Sequence, residues 1–243
     1  MPKWEEIAKD DWVVSVVRDG YQIPFLQPPP LSEKPISLTA YQKGSERWVA
    51  LGREVDSLLA KDAIELITPT TPGFYARLFV VTKRTGGWRP VLDVSALNKY
   101  VALTKFKMES TKSVLASVQK GDWLTSLDLR DAYLHVPMHP DSRRFLRFMY
   151  AGNCYEFKVL PFGLSSAPQV FTRVMAQAGR WLHLQSVRIL LYLDDWLVLS
   201  YSEAHARQCS AKTLRICLDL DIVVILPKSD LHPSRKATYL CLD

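Results

Sequence analysis

Hydrophobic positions along the chain change period several times, and each change marks an element. Residues 1–40 read as an extended lead-in: prolines at 24, 28, 29, 30 and 35 interrupt any regular element, and PFLQPPP has polyproline character. From Ser45 the pattern turns helical. Trp48, Leu51, Val55, Leu58 and Leu59 recur at helical spacing, which predicts an amphipathic helix over 45–61. TPTTPG then breaks the chain. ARLFVVTK and GWRPVLDVSAL are β-rich runs around Arg84-Thr85-Gly86-Gly87, a predicted hairpin with a glycine turn. Residues 110–120 suggest a short helix, WLTSLDL a strand, and FLRFMYAGNCYEFKVL a further hairpin about Ala151-Gly152-Asn153. Pro168 suits the first turn of a helix, and Val170, Phe171, Val174, Met175, Ala178, Trp181 and Leu182 mark its apolar face. RILLYLDDWLVLS predicts two strands meeting near its acid pair, residues 203–219 a helix, and IVVIL a last strand. Hairpins and helices interleave without regular βαβ alternation, so the predicted fold class is α+β.

Composition narrows this picture only modestly. With 243 residues, 48% of them hydrophobic, the chain can bury the core of one large domain or two small ones. Lys and Arg outnumber Asp and Glu by 31 to 25, an excess that suits a polyanionic partner without requiring one. Cys154, Cys209, Cys217 and Cys241 lack C-x-x-C or Cys/His ligand spacing, the pattern of reduced thiols rather than disulfides or zinc. No apolar run reaches the ~18 residues needed to span a bilayer, and MPKWEEIAKDDW lacks a signal-peptide core. The expectation is therefore an intracellular protein, cytoplasmic or nuclear, with no membrane partner.

One stretch changes the picture. In LLYLDDWLVLS, Asp194 and Asp195 sit side by side within an apolar strand-like run. Burying a carboxylate costs free energy unless something pairs with it, and two adjacent ones repel. A turn between two short strands exposes both, and a hairpin turn alone accounts for the pair, since Asp is common in turns. A cation would offset the repulsion, and hard oxygen donors suit Mg²⁺. WLTSLDLRDAYLHVPM then supplies Asp128 at the end of a second apolar strand, followed by Asp131 and Tyr133. A third carboxylate from a distant strand is what a two-metal site requires. Asp131 fits a supporting or structural role better than that of a ligand.

LDLRDAY, LPFGLSSAPQVF and YLDD, in that order, resemble the palm motifs of retroelement reverse transcriptases, and GGWRPVLDVSALNKY resembles their fingers segment. The resemblance covers about residues 60–243. PFGLSSAP is closest to the retrotransposon branch, and the tail PKSDLHPSRKATYL to DIRS-like or gypsy-like elements. It implies a right-hand polymerase fold of fingers and palm, with an antiparallel palm sheet of three or four strands backed by helices at 168–182 and 203–219. Residues 1–60 would form the N-terminal lead-in and fingers helix. Residues 61–243 would form the fingers and palm, the thumb being absent.

The resemblance also implies roles. Asp128, Asp194 and Asp195 would be the catalytic, metal-binding triad, holding two Mg²⁺ ions with Mn²⁺ as a possible substitute. Lys83 and Arg89 would clamp the triphosphate, Arg through its planar fork. Tyr133 would pack under the nucleotide sugar and exclude a ribose 2′-OH. Phe162 and Gly163 would contact the incoming base and template, and Tyr192 the primer or template. Lys228 would protonate the pyrophosphate leaving group. The implied partners are dNTP and an RNA or DNA template with its primer, and the implied activity is RNA-directed DNA synthesis.

The sequence also departs from the family pattern. CLDLDIVVILPKS lacks the usual Gly–Leu-like turn and nearby Asn, and Tyr239-Leu240-Cys241 stands where Y-L-G is usual. These departures, with the absence of a thumb, leave a second reading open: a trimmed or decayed remnant that binds nucleic acid or protein without catalysis. A third, an RNA polymerase of the same architecture, is disfavoured by the bulk of Tyr133.

Overall fold

The structure is a computed structural model that describes residues 1–38, 41–83, 86–104, 106 and 116–236. Arg84 and Thr85 of the predicted hairpin turn, residues 110–115 of the helix expected over 110–120, and Tyr239-Leu240-Cys241 lie outside the described residues.

The chain forms two compact units that interleave along the sequence. The first comprises Met1–Val14, Lys105–His135 and Pro168–Asp243; the second comprises Ser15–Thr104 and Val136–Ala167. Each unit draws its elements from segments far apart in the chain.

In the first unit, β4 (Trp123–Asp128), β7 (Arg188–Tyr192), β8 (Asp195–Ser200) and β9 (Asp230–Ser234) form an antiparallel sheet in the order β7-β8-β4-β9. Trp196 to Ser200 are all buried, which explains why β8 reads as a continuous apolar run. Leu197 and Leu199 gather Leu124, Leu190 and Tyr192 into a cluster on one face. Helix α7 (Glu203–Asp219) packs against β4, β8 and β9, and a buried hydroxyl pair joins Thr125 to Ser210 at 2.6 Å. Helix α6 (Ala167–Leu184) runs beside β7, and a Cβ at Gly179 would come within 2.5 Å of the Leu191 side chain. The two sequence-predicted helices and the acid-bearing hairpin thus occupy their expected positions.

The extended reading of residues 1–40 is corrected over its first half. α1 (Pro2–Ile7) and α2 (Asp11–Asp19) are helical. Trp4, Ile7, Val13 and Val16 are buried at helical spacing, Pro2 sits in a first turn that tolerates it, and the disruptive prolines begin only at Pro24. Arg173 fastens the segment to α6, reaching the Asp10 carboxylate at 2.7 and 3.0 Å and lying 4.2 Å from the Trp12 ring centroid. This pairing holds the Asp10 carboxyl below its ordinary range.

The last strand is also corrected. IVVIL makes only an isolated bridge, Leu129 to Val224, and leads into the 3-10 turn Leu226–Lys228; the strand is β9, DLHPS. The apolar run had the right composition but lies beyond the end of β4, so there is too little partner strand for a ladder. β9 pairs with β4 through a register shift, an irregularity that accommodates Pro233.

In the second unit, β2 (Arg77–Thr82) and β3 (Trp88–Asp93) form the predicted hairpin, with Gly86 and Gly87 both at positive φ. β1 (Ile64–Ile67), β5 (Arg147–Tyr150) and β6 (Asn153–Phe157) form a sheet in the order β1-β6-β5. Helix α3 (Glu46–Ala60) is capped by Ser45, whose hydroxyl accepts from the Trp48 N–H at 3.3 Å. Two short helices, α4 (Ser95–Asn98) and α5 (Pro140–Arg143), were not predicted. Buried Arg147 is satisfied by Glu156 at 3.0 Å and the Thr71 carbonyl at 2.7 Å. Among the described residues, no helix is long and apolar enough to cross a membrane.

Candidate active site

The acid pair straddles the end of a two-residue turn, with Asp194 on the turn and Asp195 opening the next strand. β7 ends at Tyr192, β8 begins at Asp195, and Leu193 adopts φ +51°. A β-carbon makes that backbone region costly by about 1–2 kcal/mol. The buried Trp196 indole donates to the Leu193 carbonyl at 3.3 Å and braces the turn from behind.

Asp128 and Asp195 are directly opposed in the β4–β8 register, and Tyr192 opposes Asp195 in the β7–β8 register. Directly opposed residues hold their Cβ atoms about 4.5–5.5 Å apart. The Leu129 N–H donates to the Asp194 carbonyl at 2.8 Å, so the turn is tied to the residue after Asp128. The electrostatics agree with this proximity. Burial, then the charges of Asp194 and Asp128, push the Asp195 carboxyl up to about 6. Burial and the Asp194 charge raise Asp128 as well. Lys228 opposes both shifts with its positive charge. The three sequence-predicted acids and Lys228 therefore share one end of one sheet.

Lys228 is exposed on the 3-10 turn that follows IVVIL. The Ile225 N–H donates to the Asp128 carbonyl at 2.8 Å, and the Ser229 hydroxyl accepts from the Asp128 N–H at 3.1 Å. Tyr133 is buried one turn after Asp128, edge-on to Phe171 of α6 at 5.7 Å between centroids. Asp131, at φ +50°, contributes its carbonyl to the Leu134 N–H and lies near enough to His135 to affect its charge.

The remaining sequence-predicted residues belong to the second unit. Lys83 is exposed at the hairpin, its N–H donating to the Gly87 carbonyl at 3.0 Å. Arg89, also exposed, lies 5.1 Å from the ring centroid of Phe162, a cation–π contact that brings two predicted nucleotide-binding residues together. Gly163 has φ +115°, and a Cβ there would fall 2.0 Å from the Leu92 carbonyl oxygen. Only glycine fits.

Three positioning residues escaped the sequence reading. Asn98 donates to the Gly163 carbonyl and accepts from the Ser165 N–H, both at 2.9 Å, clamping the loop that carries Phe162 and Gly163. His135 links the Tyr133 turn to Val223, and Ser229 links Asp128 to the Lys228 turn. All three fell inside stretches quoted from the sequence, but nothing local marked their side chains as clamps.

The donor set suits a divalent cation. Three hard carboxylates gather at one strand end, and burial, then the Asp194 and Asp128 charges, make Asp195 hold its proton to about 6. Among the described residues, no three His, Cys, Asp or Glu side chains converge into a preformed metal cage. Mg²⁺ binds through one or two carboxylates plus substrate phosphates and water, so an open arrangement fits it better than a closed one.

A four-stranded antiparallel palm sheet carrying an acid pair on one hairpin and a third acid on the next strand defines a nucleic-acid polymerase of the right-hand class. The family model described as reverse transcriptase (RNA-dependent DNA polymerase) matches residues 81–242, and the chain belongs to that family. It is 24% identical over 214 residues to the retrovirus-related Pol polyprotein from transposon 412 of Drosophila melanogaster, the match covering 86% of this chain and 16% of that protein. It is 27% identical over 158 residues to the transposon Tf2-3 polyprotein of Schizosaccharomyces pombe, covering 64% of this chain and 12% of that protein. The chain thus spans 16% or less of the length of these two relatives. Among solved structures, it resembles a foamy viral protease-reverse transcriptase in complex with double-stranded DNA, with a TM-score of 0.72 at 21% identity, over 98% of this chain and 44% of that one. That likeness shows the fingers–palm fold.

Proposed function

We propose that this chain is the fingers and palm of a retrotransposon RNA-directed DNA polymerase that extends a primer 3′-OH with deoxynucleotides on an RNA or DNA template. The run PFGLSSAP supports the retrotransposon branch, and the tail PKSDLHPSRKATYL a DIRS-like or gypsy-like element. The observation that carries the reading is the opposition of Asp128 and Asp195 across β4 and β8, with Asp194 on the adjoining turn.

Asp128, Asp194 and Asp195 would hold two Mg²⁺ ions, with Mn²⁺ a substitute. Bound there, the ions would supply charge neutralisation and lower the proton affinity of the attacking oxygen. The chain's own residues do the rest. Lys83 and Arg89 bind the triphosphate. Tyr133, fixed by Phe171, packs under the sugar where a ribose 2′-OH would clash. Phe162 and Gly163 border the incoming base and template, and Tyr192 touches primer or template. In the reaction the primer 3′-oxygen gives up its proton to solvent water and bonds to the α-phosphorus. The bond from that phosphorus to the β-phosphate oxygen breaks, and pyrophosphate departs with a proton from Lys228.

Primer extension with Mg²⁺ and dNTP, run with the natural chain and with Asp194→Asn, tests the reading. Extension by the natural chain and its loss in the variant are expected. Equal extension in both would remove the acids from the chemistry. Tight nucleic-acid binding without extension in either would favour a non-catalytic binding module.

A further inference from the structure

His135 occupies both ring nitrogens with backbone partners. Nδ1 lies 3.0 Å from the Ala132 carbonyl, and Nε2 lies 3.0 Å from the backbone nitrogen of Val223. The Val223 N–H can only donate and the Ala132 carbonyl can only accept. The ring is therefore neutral, with its proton on Nδ1.

The Val223 bond begins a series that runs to Lys228. The Val223 carbonyl accepts from the Arg130 N–H at 2.8 Å, Val224 bridges Leu129, and the Ile225 N–H donates to the Asp128 carbonyl at 2.8 Å. The 3-10 turn then closes through the Lys228 N–H to the Ile225 carbonyl at 3.0 Å. Ser229 completes the series: its hydroxyl donates to the Ile225 carbonyl at 2.9 Å and accepts from the Asp128 N–H. Lys228 thus rides on a short, irregular segment anchored at one end by Ser229 and at the other by His135. The segment has no ladder of its own beyond the Leu129–Val224 bridge, so these two side chains supply what a strand would otherwise provide.

We infer that His135 is a positioning residue for the leaving-group end of the reaction: its neutral imidazole, bridging the Ala132 carbonyl and the Val223 N–H, sets where the Lys228 ammonium stands beside Asp128 and Asp195. The inference rests on the role proposed for Lys228.

The test is a double-mutant cycle in the full chain, read by single-turnover primer extension. Lys228→Ala should slow the chemical step roughly 100-fold, the lower range for a lost general acid. His135→Leu keeps bulk but loses both hydrogen bonds; it should slow the step about 10-fold through misplacement, with the dNTP KM unchanged. In the Lys228→Ala background, His135→Leu should cost less than about twofold, because groups acting through one another are non-additive. His135→Gln, which keeps an acceptor for Val223, should restore most of the rate.

A second readout needs no turnover. The ¹³C resonance of reductively methylated Lys228, recorded on metal-free protein, should shift in His135→Leu and return in His135→Gln. Full activity of Lys228→Ala would overturn the role of Lys228 and the inference with it. An impaired Lys228→Ala combined with additive loss from His135→Leu would overturn the inference alone. So would an unmoved Lys228 resonance in a folded His135→Leu protein.

Discussion

Asp128 and Asp195 face each other as the final pair of the β4–β8 ladder, two carboxylates where a sheet ordinarily opposes unlike charges or apolar groups. The pairing is locally unfavourable and is held by everything behind it: the buried run of β8, the Trp196 brace beneath Leu193, and the helix packed on the far face. Like charges held together in this way have measurable consequences for stability.

Asp195 retains its proton to about 6 in the fold, against an ordinary value of 3.8. An unfolded chain loses that proton near 3.8, so the folded state is relatively favoured below that pH, and the advantage is lost as pH rises through about 6. Asp195→Asn should therefore melt ~2–4 °C above the natural chain at pH 8 and together with it at pH 4. Thermal scans at the two values check this, and a variant less stable at pH 8 would contradict it. The same substitution should abolish primer extension.

Divalent ions should act on the same term. Mg²⁺ at millimolar concentration and pH 8 should raise the melting temperature of the natural chain by binding only the folded form. The rise should shrink sharply in Asp195→Asn and in Asp128→Asn. Equal rises in all three proteins would place the ion elsewhere.

Gly163→Ala should be costly although the residue is exposed. The new methyl would sit 2.0 Å from the Leu92 carbonyl oxygen at φ +115°, a backbone strain of about 1–3 kcal/mol before any clash is relieved. Urea unfolding should show the loss. Asn98→Asp should weaken the same loop by setting a carboxylate oxygen against the Gly163 carbonyl, raising the dNTP KM more than it lowers kcat.

Tyr133 tests the sugar contact. Tyr133→Ala should raise incorporation of rNTP relative to dNTP, and Tyr133→Phe should leave the ratio unchanged, since the ring and its edge contact with Phe171 persist. Competition primer extension measures the ratio. An unaltered preference in the alanine variant would take Tyr133 away from the sugar.

The sequence declared those parts whose cause is local. Ala151 and Gly152, both at positive φ, make a tight turn that short-range chemistry announces. The apolar faces of α3, α6 and α7 are written in their spacing, and the acid pair is conspicuous because it interrupts a buried strand. The helices of residues 2–19 were hidden by the prolines that follow them. β9 was hidden because DLHPS is polar and contains Pro233, so its pairing depends on β4, more than 100 residues earlier. Asn98 and His135 were silent for the same reason. Their partners are backbone groups 65 and 88 residues away, and no window of sequence shows a distant carbonyl or N–H.

The interleaving of the two units bears on how the chain is made. Every segment of the second unit has been synthesised once residue 167 is added, so that unit can condense while the ribosome is still working. Strand β4, made early, must wait for β8 and then for β9 before its two edges are covered. Until then its bare hydrogen-bonding edges stand exposed to wrong partners. The three acids thus come together only after β8, about 70 residues further along the chain than β4, has been made.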